Sequence, residues 1–229
     1  ASDVYKRQVY NYMVCGLLLT GILAVVVAQF SVVTNDAGQI VGLTSLGQTL
    51  FGSPLKWVVM LAPLGLVFFL SARLHKMSYG TAQTTFWIYA ALMGISLATI
   101  FMAFTGASVA RVFFITAGTF AGMSLWAYTT KKDLSGWGSF LFMGLIGIII
   151  AMIVNIFIGS SALQFAISVI GVLVFVGLTA YDTQNIKNEY AEHYDEETQG
   201  KLAISGALRL YLDFINLFIM LLHLFGNRE

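Results

Sequence analysis

The last apolar stretch of the chain reads A-L-R-L-Y-L-D-F-I-N-L-F-I-M-L-L-H-L-F, from Ala207 to Phe225, and it carries one acid, Asp213. At 1.5 Å per helical residue, Asp213 lies about 9 Å inside the start of this stretch. The apolar stretch before it, Ala162 to Asp182, ends on a second acid. An acid inside a membrane is costly and indicates function when a partner can be named. Since one loop joins the two stretches, the acids lie at a similar depth, and each is a candidate partner for the other.

The composition is that of a membrane protein. The 229-residue chain is 58% hydrophobic and 10% charged, with a mean hydropathy of +0.82, whereas soluble domains carry about 25% charged residues. A net charge of +1 and the lack of a basic run give no indication of a nucleic-acid partner. The single cysteine, Cys15, cannot form an internal disulfide and builds no metal or redox motif. The expected partners are the lipid bilayer and transported ions, with no cofactor.

The first residues need separate treatment. Ser2 to Gln8 reads S-D-V-Y-K-R-Q, which looks like the translation of a transposon-end adapter used to tag sequencing libraries. We therefore interpret residues 1–8 as a sequencing-adapter or assembly artefact and exclude them from the topology argument. The prediction for residues 9–229 is a single membrane domain.

Seven stretches have the length and apolarity of membrane spans. A bilayer core of about 30 Å needs about 20 mostly apolar residues in a helix. Two connections are long, the Gly-rich Thr34–Ser53 and the charged, polar Thr183–Gly206. The sequence thus predicts an all-α integral membrane protein with seven transmembrane helices. The predicted spans are Val9–Val33, Leu55–Ala72, Ala82–Phe104, Ala107–Tyr128, Trp137–Ile158, Ala162–Asp182 and Ala207–Phe225. Small residues at helix-packing spacing, Gly118 with Gly122 and Gly94 with Ala98, predict close approach between helix backbones.

Lysine and arginine are concentrated in the even-numbered connections, which predicts that these connections are cytoplasmic. Asp182, Asp213 and Arg73 then all lie toward the cytoplasmic face. The basic residues of the even-numbered connections are Arg73, Lys76, Lys131, Lys132, Lys187 and Lys201, against Lys56, Arg111 and Arg228 on the other side.

The two acids predict a specific proton chemistry if they meet. Two carboxylates a hydrogen bond apart in low dielectric cannot both ionise freely, so they share a proton and titrate in two coupled steps. Arg73, at the same predicted depth, is the candidate cation that compensates the fully ionised pair, because its charge is permanent. Two simpler interpretations stay open. Asp182 could be a helix-end carboxylate that reaches the headgroups, and Asp213 could pair with Arg209 four residues earlier on its own helix.

Other polar residues are secondary candidates. His223, toward the outer end of the last stretch, is interpreted as a pore-lining or packing residue and not as a metal ligand. Asn216, Asn155 and Gln164 are candidates for hydrogen bonds between helices or for the wall of a polar path. No metal ligand is assigned.

At these residues the chain resembles the Bax inhibitor-1 family, also called the transmembrane Bax-inhibitor-motif family, in its bacterial branch. The resemblance covers nearly all of Val9 to Glu229. It is carried by V-Y-N-Y-M, F-L-S-A-R-L-H-K-M-S, G-L-T-A-Y-D-T-Q-N-I-K and, most specifically, L-Y-L-D-F-I-N-L-F-I-M-L-L-H-L-F-G. It implies six helices around a central C-terminal helix in the bacterial plasma membrane. It also implies a pH-sensitive calcium leak channel, with Asp182 and Asp213 as the sensor and Arg73 as the arginine of the second helix.

Two other classes can use paired acids in a membrane. A proton-coupled ion transporter or antiporter could use the same aspartates as carriers. An intramembrane aspartyl protease also places acids on adjacent helices, but Asp213 follows Tyr211 and Leu212 instead of the expected Gly-x-Gly. The Pro-Ala-Leu signature of that class is missing too, since the only prolines are Pro54 and Pro63. We therefore expect no enzyme, and the proton-coupled transporter stays open as the alternative to a channel.

The charge distribution makes a testable prediction about topology. Single cysteines introduced at Ser45 and at Asp195, in a Cys15→Ala background, should react with a membrane-impermeant thiol reagent from opposite sides of the membrane. Labelling of both positions from the same side would contradict the seven-span topology and, with it, the shared depth of the two acids.

Overall fold

The helices of the chain follow the seven predicted spans. The computed structural model describes residues 2–191 and 193–228. Within these residues α1 and α3–α8 are long and apolar enough to cross a membrane. The elements are α1 (Ser2–Ser31), β1 (Val32–Thr34), β2 (Ile40–Leu43), α2 (Ser45–Gly47), a π-helical turn (Gln48–Gly52), α3 (Leu55–Arg73), a 3-10 turn (Leu74–Lys76), α4 (Tyr79–Ala103), α5 (Gly106–Thr129), α6 (Trp137–Ile158), α7 (Ser161–Glu189) and α8 (Glu196–Phe225).

The prediction was wrong about the length of the last connection. The polar connection expected over Thr183–Gly206 contains one end of α7 and the beginning of α8, which leaves residues 190–195 between the helices. Hydropathy detects only the part of a helix that lies in lipid, so the polar ends of both helices were assigned to the loop. The beginning of α8 is stabilised by Asp195, whose Oδ1 accepts a hydrogen bond from the Thr198 backbone N–H at 2.9 Å.

The capping acid is itself affected by this geometry. Hydrogen bonds from the side chain and backbone of Thr198 lower the pKa of Asp195 below its ordinary value. A lowered pKa in the folded state means that the capping contribution is present at neutral pH and is lost as the pH falls through that pKa. Glu196 and Glu197 follow in the first turn, where negative charge is favourable toward the helix dipole.

The first long connection also has structure of its own. Strands β1 and β2 pair antiparallel, with Val32 opposite Leu43. Their turn is built on Asn35, whose Oδ1 accepts hydrogen bonds from the backbone N–H groups of Ala37 and Gln39. Gly38 takes a φ of +77°, which a residue with a side chain rarely adopts. The loop expected over Thr34–Ser53 is therefore largely a hairpin followed by a short helical turn.

The chain divides into two compact units. The first contains residues 2–106, 191, 193–208 and 228, and the second contains residues 107–190 and 209–227. In the first unit, α1 packs along α4. The Thr20 hydroxyl donates to the Ala90 carbonyl at 2.8 Å, and a Cβ built on Gly94 would lie 2.7 Å from the Thr20 carbonyl oxygen. The close approach predicted at Gly94 is therefore present.

The second unit holds α5, α6, α7 and most of the apolar part of α8. Gly171 of α7 lies against Met220 of α8, and Gly177 of α7 lies against Leu141 of α6. Phe214 of α8 packs edge-on against Phe120 of α5, with ring centroids 5.5 Å apart. In the most apolar window of α8, 61% of the residues are buried, against 11% in α3 and in α6. By this measure the last helix is the most buried of the seven candidate spans.

The contact at Gly94 predicts a stability difference between two glycines. Gly94→Ala should lower the free energy of unfolding by about 1–3 kcal/mol, because the new methyl group meets backbone atoms of α1 that cannot move aside easily. Gly118→Ala is the matched control, since a Cβ there meets no described atom within 4 Å. It should change stability by no more than about 1 kcal/mol, because alanine is the better helix former. Thermal unfolding of the purified protein in detergent, followed by circular dichroism, measures both. Equal losses for the two variants would contradict the close packing of α1 on α4.

Candidate functional site

The two predicted acids meet in the second unit. Asp182 lies on α7 and is 8% exposed, and Asp213 lies on α8 and is 5% exposed. Their carboxyl groups lie within hydrogen-bonding reach of each other. A hydrogen bond between two carboxyl groups needs a proton on one of them, since an ionised carboxylate only accepts. Such a bond would therefore require the pair to share one proton.

The pair keeps one further buried acceptor. Oδ2 of Asp213 is buried and accepts no hydrogen bond from the residues that the structure describes. A buried carboxyl oxygen without a donor is costly.

The cation beside the pair is Arg209. Its Nη1 lies 3.9 Å from Oδ1 of Asp182. Its Nη2 donates to both carboxylate oxygens of Glu189, each at 2.7 Å. The ion pairs of Arg209 that the structure describes within 4 Å are thus made to α7, and the pairing with Asp213 on its own helix is not among them. The interpretation of Asp213 as half of an i,i+4 pair with Arg209 is not tested by these distances and stays a prediction.

Asp182 is not a helix-end carboxylate. Helix α7 continues for seven residues beyond it to Glu189, and the Asp182 side chain is buried. The alternative in which this acid reaches the headgroups was based on a helix that ended at Asp182. The polar end of α7 instead brings Glu189, two turns further along the same face, to Arg209.

Glu189 is the site residue that the sequence reasoning missed. It lies in the stretch that was predicted to be a loop, where a glutamate is common and does not indicate a functional site. The spacing from Asp182 to Glu189 is seven residues, and continuing the helical phase of α7 past Asp182 would have placed both acids on one face. The sequence contains this spacing, but it becomes informative only if α7 is assumed to continue beyond its apolar segment.

Several hydrogen bonds hold α7 in place around the pair. The Ser124 hydroxyl of α5 lies 3.2 Å from the Thr183 hydroxyl. The Gln184 amide accepts from the Leu134 backbone N–H at 2.7 Å and donates to the Lys132 carbonyl at 2.8 Å. These contacts lie directly after Asp182 in sequence and tie this part of α7 to α5 and to the connection that follows it.

Arg73, the predicted compensating cation, is in the other unit. It is the last residue of α3 and is exposed. No ion pair within 4 Å is found for it among residues 2–191 and 193–228. Its assignment as the cation that compensates the charge of the ionised aspartate pair stays a prediction.

The secondary candidates make local contacts. The Asn216 amide donates to the Leu212 carbonyl at 2.8 Å, and Nδ1 of His223 lies 2.8 Å from the Ile219 carbonyl. The Asn155 amide donates to Gln164 at 3.4 Å, which links α6 to α7 as expected. Within the described part of the chain, no group of three or more His, Cys, Asp or Glu side chains is arranged to hold a metal ion.

The comparisons with known proteins agree on one family. The family model described as "Inhibitor of apoptosis-promoting Bax1" matches residues 3–229. Inner membrane protein YbhL of Escherichia coli (strain K12) is 48% identical over 99% of this chain and 93% of its own length. The Rickettsia prowazekii protein RP147 is 45% identical over 98% of this chain and 90% of its own length. A Borreliella burgdorferi protein is 45% identical over 100% of this chain and 94% of its own length.

The family match, the inner-membrane relative and the seven helices support the same conclusion. The chain is a multi-pass protein of the bacterial inner membrane, and it belongs to the Bax inhibitor-1 family.

Proposed function

We propose that this protein is a pH-sensitive calcium (cation) leak channel whose sensor is the pair Asp182 and Asp213. The observation that carries the proposal is that two buried carboxyl groups, on helices that follow one another in the chain, lie within hydrogen-bonding reach of each other. The family is one of membrane proteins of the Bax inhibitor type and not a known enzyme family, and we propose transport, not catalysis, for this member.

The sensor works through the charge of the pair. With one shared proton the two acids carry a single negative charge and attract each other through a hydrogen bond. Without that proton they carry two negative charges in a low-dielectric interior, and they repel each other unless a cation moves closer. Exchange of one proton therefore changes the force between α7 and α8.

Arg73 is the proposed latch, by which we mean a cation that holds α3 in the closed position when the pair is ionised. Its charge is permanent, and it lies at the end of a helix that is predicted to reach the same side of the membrane. Protonation of the pair removes the charge that Arg73 compensates, so that α3 is released and cations flow down their gradient.

A modest energetic coupling is enough for this response. A difference of one pKa unit between open and closed states is worth about 1.4 kcal/mol and changes the open-to-closed ratio about tenfold. Two units would change it about a hundredfold.

The two acids should titrate as one coupled system. Asp182→Asn should change the titration of Asp213, and Asp213→Asn should change that of Asp182, because each removes the partner that shares the proton. Infrared spectroscopy of the protonated carboxyl band against pH measures this. Asp133→Asn is the control, since Asp133 is fully exposed. Identical titration of Asp182 with and without Asp213 would show that the acids are independent and would remove the sensor.

The leak itself can be measured in liposomes loaded with a calcium-sensitive dye. The wild type should pass calcium at a rate that rises as the pH falls, without a proton gradient. Asp213→Asn should lose that dependence, because no shared proton remains to be exchanged. Calcium flux that requires a proton gradient would instead indicate the proton-coupled transporter.

The latch is tested by two arginine variants in the same liposomes. Arg73→Ala should leak at high pH as the wild type does at low pH, because nothing then holds α3. Arg209→Ala should keep a pH response, although its midpoint should move because a cation beside Asp182 is lost. If Arg73→Ala stays tight and pH-responsive while Arg209→Ala abolishes the response, the latch is Arg209.

A further inference from the structure

We propose that Glu189 is a positioning residue that competes with the aspartate pair for Arg209 and thereby sets the pH at which the sensor responds. The proposal rests on the function proposed above and adds a second acid to the sensor. Its basis is the geometry of a single guanidinium between two anions on α7.

The contacts of Arg209 are unequal. Nη2 lies 2.7 Å from both oxygens of Glu189, which is the distance of a strong charge-assisted hydrogen bond. Nη1 lies 3.9 Å from Oδ1 of Asp182, which is an ion-pair distance but too long for a hydrogen bond. Arg209 is thus bound to Glu189 and only near Asp182.

A small movement would reverse this preference. A hydrogen bond of about 2.9 Å would need Nη1 to approach Asp182 by roughly 1 Å. The guanidinium is planar and its donors are fixed relative to one another, so an approach to Asp182 weakens at least part of the contact with Glu189. The two acids therefore share one cation and cannot both be fully satisfied.

The exposure of the three side chains suits such an exchange. The side chains of Arg209 and Glu189 are 30% and 31% exposed, whereas that of Asp182 is 12% exposed. Arg209 therefore lies at the boundary between water and the buried pair. It can transfer its charge from a partly hydrated carboxylate to a buried one without leaving its position on α8.

Two other charged groups of this unit, Lys187 and Asp133, make contacts away from the pair. Lys187, the remaining cation of α7, donates to the Tyr128 carbonyl at 2.8 Å and lies over the Tyr128 ring. Asp133, in the connection between α5 and α6, is fully exposed, and its carboxylate accepts from the Ser135 backbone N–H. The charges that surround the aspartate pair on α7 and α8, among the described residues of this unit, are those of Glu189 and Arg209.

The consequence follows from counting charges. With a shared proton, the pair and Glu189 carry two negative charges between them, against one positive charge on Arg209. Loss of the proton adds a third negative charge, which makes Asp182 the stronger competitor for Arg209. Glu189 opposes this loss of the proton in two ways. It binds Arg209, which could otherwise compensate Asp182, and its own negative charge repels the ionised pair.

Glu189→Gln tests the competition. The variant keeps the size of the side chain and one acceptor oxygen but removes its charge and releases Arg209 to Asp182, so a lower pH should be needed to protonate the pair. We expect the midpoint of the infrared titration to fall by about one pH unit, a tenfold change in proton concentration. Glu189→Asp keeps the charge and should stay closer to the wild type.

The matched control is Glu197→Gln, which removes an acid that pairs with Lys201 at 3.7 Å on α8 itself. It should leave the midpoint unchanged. Circular dichroism of each variant establishes that its helices are intact before titration.

The two readouts separate the two proposals. A Glu189→Gln midpoint equal to that of the wild type or of Glu197→Gln overturns the competition, whatever the leak does. A midpoint that falls in the infrared titration while the calcium leak does not follow it supports the competition and contradicts the sensor function. A parallel fall in both supports both.

Discussion

The close approach of two buried carboxyl groups, those of Asp182 and Asp213, is the constraint on which the rest of the candidate site depends. A hydrogen bond between them needs one proton held between α7 and α8, because two ionised carboxylates have no donor to offer each other. In the proposed sensor, the packing of these two helices depends on that proton. The neighbouring residues have roles that follow from this condition. Ser124 and Gln184 connect the part of α7 next to Asp182 to neighbouring segments, and Arg209 lies beside Asp182.

The energetics of this arrangement differ from those of an ordinary salt bridge. A buried acid and base stabilise each other in one fixed charge state, and removing either one is costly. Here the cation has a strong partner, Glu189, outside the aspartate pair. The preference of Arg209 between its two anions is a small difference between large interactions, so it can be changed by a single protonation. An isolated Arg–Asp pair would have no such competitor.

Much of the fold follows from the sequence because membranes impose simple rules. The span Trp137–Ile158 was predicted with the bounds that α6 shows, since lipid requires a continuous apolar helix of this length. The acids Asp182 and Asp213 could also be identified, because charge is rare in such helices. The beginning of α8 could not be predicted from hydropathy. It depends on the capping acid Asp195 and on polar turns in water, to which no membrane rule applies.

In the candidate site, the two aspartates were identified from the sequence because they lie in apolar segments. Glu189 was missed because it lies outside them. Glu189 has meaning only when the phase of α7 is continued beyond the apolar segment. Gly94 and Gly118 show a related limit. Both belong to small-residue patterns, but only Gly94 meets a neighbouring backbone, since the pattern cannot say which face of a helix is covered.

The unbroken course of α8 has an evolutionary consequence. Asp213 lies seventeen positions after the first residue of this helix, Glu196, which corresponds to a rise of about 25 Å without a loop. Each helical residue turns the chain by about a quarter of a circle, so inserting or deleting one residue there would rotate Asp213 away from α7. Selection should therefore remove insertions and deletions between positions 197 and 212. Such changes can accumulate in the connection, whose described residues 190, 191 and 193–195 lie outside both helices, so that no helical register has to be kept.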